Sequence, residues 1–500
     1  MAWRPRAEDI LLETIVAIGF LQTLSILANA ARAKVIAVML GPEGVGVVGI
    51  VDQVVLVVMN LTTLSLPLSA VTILSRSYGQ GVAAFKHSYV TFLTVLSVLT
   101  LVGTASALSL VAVRSSLLGE SLLLYQPLLI LGLLSVPALA CSTFGASVFA
   151  AAQQARQATV VAAISATALL LAAAAGIPLA GLEGLYWMSL AAGALVAGAV
   201  FYHLHRQFRL PFFDRTVSLA GEIARHPDLV FFCASYFLVS VAYPLAWLIA
   251  RHSILANFGG AEAGRLQAVI GLMMGFGMVL RPVNSRLLMP IVNGPWDAAR
   301  KFRDTVGIQR KLTVALALLA MPLVLFPQWV LAVLYSTAFA AAGPYVHLFI
   351  GAEVILILGG TYQALVLGMN DTRAWALEYF VGYGSLGMLS WSLGRDHGIL
   401  GVAASAITAS LLIFGLALWR LRSRHGFVLP RSLLGLMTGV LAVIFGAGAA
   451  CARYDDGSTA ALLVKVAALL VFGPSLICCL DREDRTWIYR FLTRLPPKGP

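Results

Sequence analysis

The feature that most constrains this chain is a series of fourteen apolar runs, each close to the roughly 20 residues that cross a bilayer as a helix. Charged residues make up only 11% of the chain, against about 25% in soluble domains. Segments of alternating polarity, typical of membrane barrels, are absent. The sequence therefore predicts an all-α integral membrane protein. The predicted spans are 12–40, 44–74, 88–112, 122–150, 158–178, 182–202, 229–256, 264–292, 312–335, 344–369, 376–394, 398–419, 432–451 and 460–479.

The distribution of Lys and Arg predicts the orientation, because cytoplasmic loops carry the excess of these residues. With the N-terminus inside, the inner segments hold 24 of them and the outer loops hold 4. We therefore expect a multi-pass membrane protein with a cytoplasmic N-terminus. The net charge of +12 is explained by this bias, so no nucleic-acid partner is expected.

An internal repeat divides the spans into two groups of six plus two. Arg251 lies six spans after its counterpart Arg32, so both copies point the same way across the membrane. We predict an N-terminal six-helix lobe at 1–205, a cytoplasmic linker at 206–228, a C-terminal six-helix lobe at 229–425, helices thirteen and fourteen at 426–480, and a basic cytoplasmic tail at 481–500. The matching pairs are Arg32 with Arg251, Gly41 with Gly260, Glu43 with Glu262, and Gly46 with Gly264.

Polar residues inside the spans predict a cavity, because ionisable groups at membrane depth are costly and usually face one. In each repeat a polar face ends in an Arg. The face in the first span comprises Gln22, Ser25, Asn29 and Arg32, and the face in the seventh comprises Tyr236, Ser240, Tyr243, Trp247 and Arg251. Interfacial snorkelling is the structural alternative, as is an ion pair between Arg32 and Asp52, which lie at equal depth about the turn at Pro42.

Cations outnumber acids within the spans, which favours an anionic substrate such as a pyrophosphate. The cations include Lys34, Arg281 and Arg286 besides the two repeat arginines. Asp52 and Glu353 are candidate acids for H⁺ or Na⁺ coupling, with pairing to a buried Arg as the alternative for Glu353. We predict no resident cofactor and no metal site.

The sequence from Ala33 to Gly46 (AKVIAVMLGPEGVG) resembles the first-helix signature of O-antigen and related polysaccharide flippases. That family lies in the MOP superfamily, which also holds MATE exporters and the lipid II flippase. The resemblance implies two six-helix lobes around a central cavity and alternating access. It also implies an undecaprenyl-pyrophosphate-linked oligosaccharide as substrate, moved from the inner to the outer leaflet for O-antigen or other surface polysaccharide.

Under this hypothesis the pyrophosphate contacts Arg32, Lys34, Arg251 and Arg281, with Gln22, Asn29, Tyr243 and Trp247 completing the polar faces. The partners are membrane lipids, the lipid-linked oligosaccharide and polysaccharide polymerase or ligase machinery. A lipid II flippase or a MATE-type exporter of the same fold is the alternative within the class. A membrane polymerase or ligase is the enzyme alternative, although the outer loops are too short for the long catalytic loop expected of one.

Overall fold

The computed structural model describes residues 7–113, 123–210, 228–283, 288–294, 296–369, 371–454 and 459–478. These residues are almost entirely helical, and none of them forms a strand. The predicted linker residues 211–227, Arg286 and the tail at 481–500 lie outside the described residues.

The helices are α1 (Ala7–Thr63), α2 (Leu66–Gln80), α3 (Val82–Val113), α4 (Gln126–Leu134), α5 (Val136–Ala151), α6 (Ala155–Phe208), α7 (Asp228–Phe258), α8 (Gly260–Val283), α9 (Met289–Val292), α10 (Ala298–Leu325), α11 (Pro327–Leu334), α12 (Val346–Gly368), α13 (Thr372–His425), α14 (Arg431–Tyr454) and α15 (Thr459–Cys478).

Within the described residues, 11 helical segments are long and apolar enough to cross a membrane. Three of them, in α1, α6 and α13, are 45, 54 and 54 residues long, about twice what a bilayer requires. Each of the three is interrupted near its middle by a non-helical residue, at Gly41, Gly181 and Gly398. Counting each interrupted helix as two spans agrees with the fourteen spans predicted from the sequence. The all-α membrane fold is confirmed.

The left-handed turns recur at a nearly constant offset along the chain, which supports the internal repeat. Gly181 and Gly398 both have φ near +60°. Only glycine adopts this left-handed conformation without steric cost, so these positions mark true helix turns. The chain also turns left-handed after α6 at Arg209 and after α13 at Gly426, and the same offset relates this second pair.

The first turn of the second repeat lies one residue earlier than the sequence alignment placed it. Gly41 has φ +67°, and its counterpart is Gly259 with φ +85°, not the predicted Gly260. Gly259 and Gly260 are consecutive, so either could supply the left-handed residue, and the sequence alone did not distinguish them. Gly260 instead begins α8.

Packing separates the chain into two compact units, Met1–Gln267 with Leu334–Ser336, and Ala268–Val333 with Thr337–Pro500. In the first unit, an apolar core lies among α2, α3, α5 and α6, centred on aromatic side chains such as Phe85, Tyr89 and Phe144. In the second unit, α12 is deeply buried and packs against α10, α13 and α14. The lobe boundaries predicted from the repeat remain predictions.

Two glycine-rich turns bring α1 and the beginning of α8 into close contact within the first unit. A Cβ atom at Gly46 would collide with the backbone of Gly260 and Gly264, and one at Gly264 would collide with the Pro42 carbonyl. Nearby, the Gln53 side chain donates a hydrogen bond of 2.7 Å to the Pro244 carbonyl of α7. These contacts place the two repeat arginines on neighbouring helices.

Candidate functional site

The polar face of α1 ends at an ion pair that closes the first helical hairpin. Before it along the helix, Ser25 and Asn29 donate hydrogen bonds to backbone carbonyls of their own helix. Arg32 Nη2 lies 3.1 Å from Asp52 Oδ2. The two residues lie nine before and eleven after Gly41, so the hairpin brings them to the same depth. The ion pair considered in the sequence analysis is therefore present.

Arg32 keeps hydrogen-bonding capacity beyond this pair. Its Nε is buried and has no hydrogen-bond partner among the described residues. Asp52 is engaged on both oxygens, because Tyr186 of α6 donates a hydrogen bond of 3.1 Å to Asp52 Oδ1. The tyrosine thus fixes the carboxylate while the guanidinium retains an unused donor.

Arg251 on α7 is held by neutral oxygens only, within the part of the chain that the structure describes. It is 3% exposed. Its Nε donates to Gln267 Oε1 at 2.7 Å, and its Nη1 donates to the Trp247 carbonyl at 3.2 Å. No carboxylate among the described residues forms an ion pair with it. A buried guanidinium in this setting carries a positive charge that its direct contacts do not neutralise.

A small cavity of about 90 Å³ lies beside the pair of Arg32 and Asp52 within the first unit. Asn29, Arg32 and Asp52 line it from one hairpin, and Gln267 lines it from the other. Gln267 therefore contacts Arg251 and also faces the cavity. Tyr335 contributes a further polar group to the lining.

The remaining predicted residues of the first unit lie outside this lining in the described part of the chain. Gln22, Lys34 and Tyr243 are half-buried. Trp247 is buried, so it is no ordinary interfacial aromatic, and its indole ring lies 6.0 Å from the Arg251 guanidinium carbon. Of the eight predicted binding residues, the cavity brings together Asn29 and Arg32, with Arg251 one side chain behind.

Arg281 and Glu353 form a separate site in the second unit. Arg281 Nε and Nη2 donate to the two oxygens of Glu353 at 2.8 and 2.9 Å, a two-point fork that fixes both side chains. The Glu353 side chain is fully buried, whereas that of Arg281 is 43% exposed. Gly277 permits the pair, since a Cβ atom there would collide with the carboxylate. The structural alternative for Glu353, a pair with an Arg, is therefore present.

Sequence reasoning missed Gln267, Tyr186 and Tyr335. Gln267 could have been found, because it lies eight residues after the turn at Gly259 and Arg251 lies eight before it. That is the equal-depth relation that pointed to Asp52. Tyr186 and Tyr335 come from distant segments, and no spacing in the sequence connects them to the site.

No protein-family model and no curated protein matches the chain, but solved structures do. A lipid II flippase, MurJ, in an inward closed conformation superposes with a TM-score of 0.72 at 11% identity, covering 97% of this chain and all of that one. An inward-facing MATE-family multidrug resistance transporter of the MOP superfamily gives 0.58 at 14%, over 83% of this chain and all of that one. A MOP superfamily transporter from Pyrococcus furiosus, whose binding pocket is described as reversed in polarity, gives 0.57 at 13%, over 82% of this chain and 96% of that one. At these identities the likeness establishes the fold alone, which this chain shares with these transporter structures.

Proposed function

We propose that this protein is a flippase for a lipid-linked oligosaccharide in the bacterial inner membrane. It moves an undecaprenyl-pyrophosphate-linked glycan from the inner to the outer leaflet by alternating access. The observation that carries the proposal is the buried Arg251, whose hydrogen bonds, among the described residues, go to the neutral oxygens of Gln267 and Trp247 and to no carboxylate.

The charge at the site favours an anionic ligand. Arg32 and Arg251 bring two positive charges, and Asp52 brings one negative charge. A pyrophosphate offers several oxygens to guanidinium groups, which bind phosphate in a planar two-point geometry. The unused Nε of Arg32 supplies one donor. Gln267 supplies a side chain that can exchange its contact with Arg251 for one with the ligand.

The cavity size limits which part of the substrate enters. At about 90 Å³, it is far below the roughly 300–1,000 Å³ of pockets that enclose drug-sized ligands. It admits a small polar group and excludes an oligosaccharide. The glycan and the lipid chain therefore lie outside this cavity, which recognises the phosphate end that every such substrate shares.

A lipid II flippase is the second candidate, and one observation favours it. The MurJ structure covers 97% of this chain, whereas the two transporter structures described with it cover 82–83%. Both candidates require recognition of a phosphate group joined to a lipid, so the glycan alone separates them.

We propose further that the protein is not an enzyme, that H⁺ or Na⁺ drives it, and that a polysaccharide polymerase or ligase acts on its product.

Deletion in the native host tests the function. We expect loss of the surface polysaccharide and accumulation of its lipid-linked precursor in the inner leaflet, restored by the wild-type gene. Precursor that crosses normally but is not polymerised would overturn the transporter assignment in favour of an enzyme. Accumulated lipid II with an intact surface polysaccharide precursor pathway would favour the second candidate.

The site itself is tested by complementation. We expect Arg32→Ala and Arg251→Ala to abolish translocation while protein abundance in the membrane is unchanged. Arg395→Ala is the matched control, since that Arg is exposed in the turn before Gly398. Normal translocation by both arginine variants would exclude the proposed pyrophosphate site.

A further inference from the structure

Among the described residues of the second unit, the acids Glu353 and Asp371 each form an ion pair with an arginine, whereas a third acid, Glu378, does not. Glu353 is paired with Arg281, and Asp371, which precedes α13, is paired with Arg420 at 2.7 Å. Glu378, one turn and a half into α13, forms no ion pair among the described residues. It is nevertheless buried, at 6% exposure.

The partner of Glu378 is a neutral side chain of α12. Gln363, only 1% exposed, donates from Nε2 to Glu378 Oε2 at 2.6 Å. The same Nε2 donates to the Ile413 carbonyl at 3.3 Å. Gln363 Oε1 is buried and receives no hydrogen bond from the described residues. Among the described residues, Gln363 Oε1 therefore has no hydrogen-bond donor, and the neighbouring Glu378 carboxylate has no cation in contact with it.

The charged groups around Glu378 do not neutralise it by contact. Arg420 and Asp371 both act on it electrostatically, but they are paired with each other and their opposite charges largely cancel. Tyr379 on the same helix lies within electrostatic range of Glu378, Glu353 and Arg281. Arg281 is in turn bound to both oxygens of Glu353. The group of three acids and two arginines therefore lacks one positive charge.

An ionised carboxylate costs several kcal/mol in a dry interior unless a cation or a proton compensates it. A proton on Glu378 removes that cost and also creates the donor that Gln363 Oε1 lacks. Rotation of the Gln363 amide by half a turn exchanges its oxygen and nitrogen, which brings Oε1 toward the carboxyl O–H and gives up the longer hydrogen bond of 3.3 Å from Nε2 to the Ile413 carbonyl. We propose that Glu378 and Gln363 form a proton-binding site in the second unit, distinct from the arginine site of the first.

In the transport cycle this site would bind the coupling proton, and that role rests on the proposed function. It differs from Asp52 and Glu353, the acids chosen from the sequence, because both of those are bound to an arginine. Glu378 and Gln363 belong to different helices, α13 and α12. Loss of the proton leaves a negative charge between these helices and so favours a rearrangement that admits water or a cation.

Proton binding is measurable without any transport substrate. We expect infrared spectra of the purified protein in nanodiscs to show the carbonyl stretch of a protonated carboxylic acid that disappears as the pH is raised. The band should shift in D₂O, be absent in Glu378→Gln and persist in Glu353→Gln. Glu378→Gln has the shape of the protonated acid, so it should fold. Gln363→Leu removes the hydrogen bond and should move the band's frequency.

Two results would overturn the site. One is a wild-type spectrum with no protonated carboxyl band, or a band unchanged in Glu378→Gln. The other is a band abolished by Na⁺ but not by K⁺ at constant pH, which would assign the site to sodium.

Transport by the same variant separates this proposal from the proposed function. In vesicles, Glu378→Gln should lose the stimulation of flipping by a pH gradient while pyrophosphate still protects the protein against thermal unfolding as it does the wild type. Gradient stimulation equal to that of the wild type would exclude Glu378 as the coupling site. A protonated band in a wild-type protein that flips no lipid-linked glycan would leave the site intact and refute the proposed function.

Discussion

At the scale of single residues, the contact between Gln267 and Arg251 gives a direct test of the proposed anion site. Gln267→Glu places a carboxylate where Arg251 now meets a neutral oxygen at 2.7 Å. We expect an internal ion pair that leaves expression intact but sharply weakens the protection by inorganic pyrophosphate against thermal unfolding. Gln267→Met has a side chain of similar length but lacks the negative charge of Glu, so it should weaken the protection less than Gln267→Glu does. The same degree of protection in Gln267→Glu and Gln267→Met would show that Arg251 does not bind the anion.

The pair of Arg281 and Glu353 makes a prediction about stability. Arg281→Met leaves a fully buried carboxylate without its cation. Breaking a buried pair typically costs about 3–5 kcal/mol, and the partial exposure of Arg281 places the expected loss below that range. Arg281→Met combined with Glu353→Leu removes both charges and should recover most of the lost thermal stability. A double variant no more stable than Arg281→Met would contradict the pairing.

Individual contacts differed in how far the sequence could predict them. Equal distance from a hairpin turn led from Arg32 to Asp52, and it would have led from Arg251 to Gln267. Glu378 lies close to a predicted span boundary at 376, where an acid is ordinarily solvated, so no pattern marked it as buried. Its burial results from the packing of α12 against α13, and a single sequence does not record which helices are neighbours.

At the scale of elements, the two repeats resemble each other more in the positions of their turns than in their side chains. Within each repeat the paired helices meet at equivalent points. A Cβ at Gly184 would collide with the Gly176 carbonyl, and one at Gly401 with the Leu393 carbonyl, at the same offset that relates Gly181 to Gly398. The sequence alignment found the repeat through one Arg and a few glycines. The one-residue error at Gly260 arose because adjacent glycines are equivalent in sequence but not in backbone conformation.

The two equivalent turns predict equal costs of substitution. Gly181→Ala and Gly398→Ala each force a residue with a Cβ into positive φ at negative ψ, which costs about 1–3 kcal/mol. Gly198 and Gly415 are equivalent glycines inside the following helical halves, and a Cβ at either meets nothing within 4 Å. Alanine there should be neutral or stabilising, because alanine favours helix by about 1 kcal/mol. Thermal unfolding of the four variants in detergent checks this, and destabilisation only at Gly181 would contradict the equivalence of the repeats.

The contact between the two glycine turns of the first unit predicts a larger effect. A side chain at Gly264 meets the backbone carbonyl of Pro42, which cannot move aside as a flexible side chain can. Gly264→Ala should therefore lower the unfolding temperature and the yield of folded protein. Gly275, in the same helix, has open space around it and is the control. Equal unfolding temperatures for Gly264→Ala and Gly275→Ala would show that the close approach of α1 and α8 is not required for stability.

At the scale of the whole molecule, hydropathy and the length of each apolar run were sufficient for the fold class and the number of spans. Apolar side chains must meet lipid or other helices, so length alone identifies a crossing. The contacts between polar side chains at the candidate site could not be predicted in this way. They arise where polar groups from separate helices satisfy one another in a dry interior, and that depends on tertiary packing.

The orientation of the molecule is a prediction of its charge distribution, because Lys and Arg are retained on the cytoplasmic side. Arg373 at the start of α13 and Asp396 before the turn at Gly398 are exposed and lie at opposite ends of one span. In a variant without native cysteines, Asp396→Cys should react with a membrane-impermeant maleimide in intact spheroplasts. Arg373→Cys should react only after the membrane is permeabilised. The reverse pattern would place the N-terminus outside and would contradict the orientation predicted from the distribution of Lys and Arg.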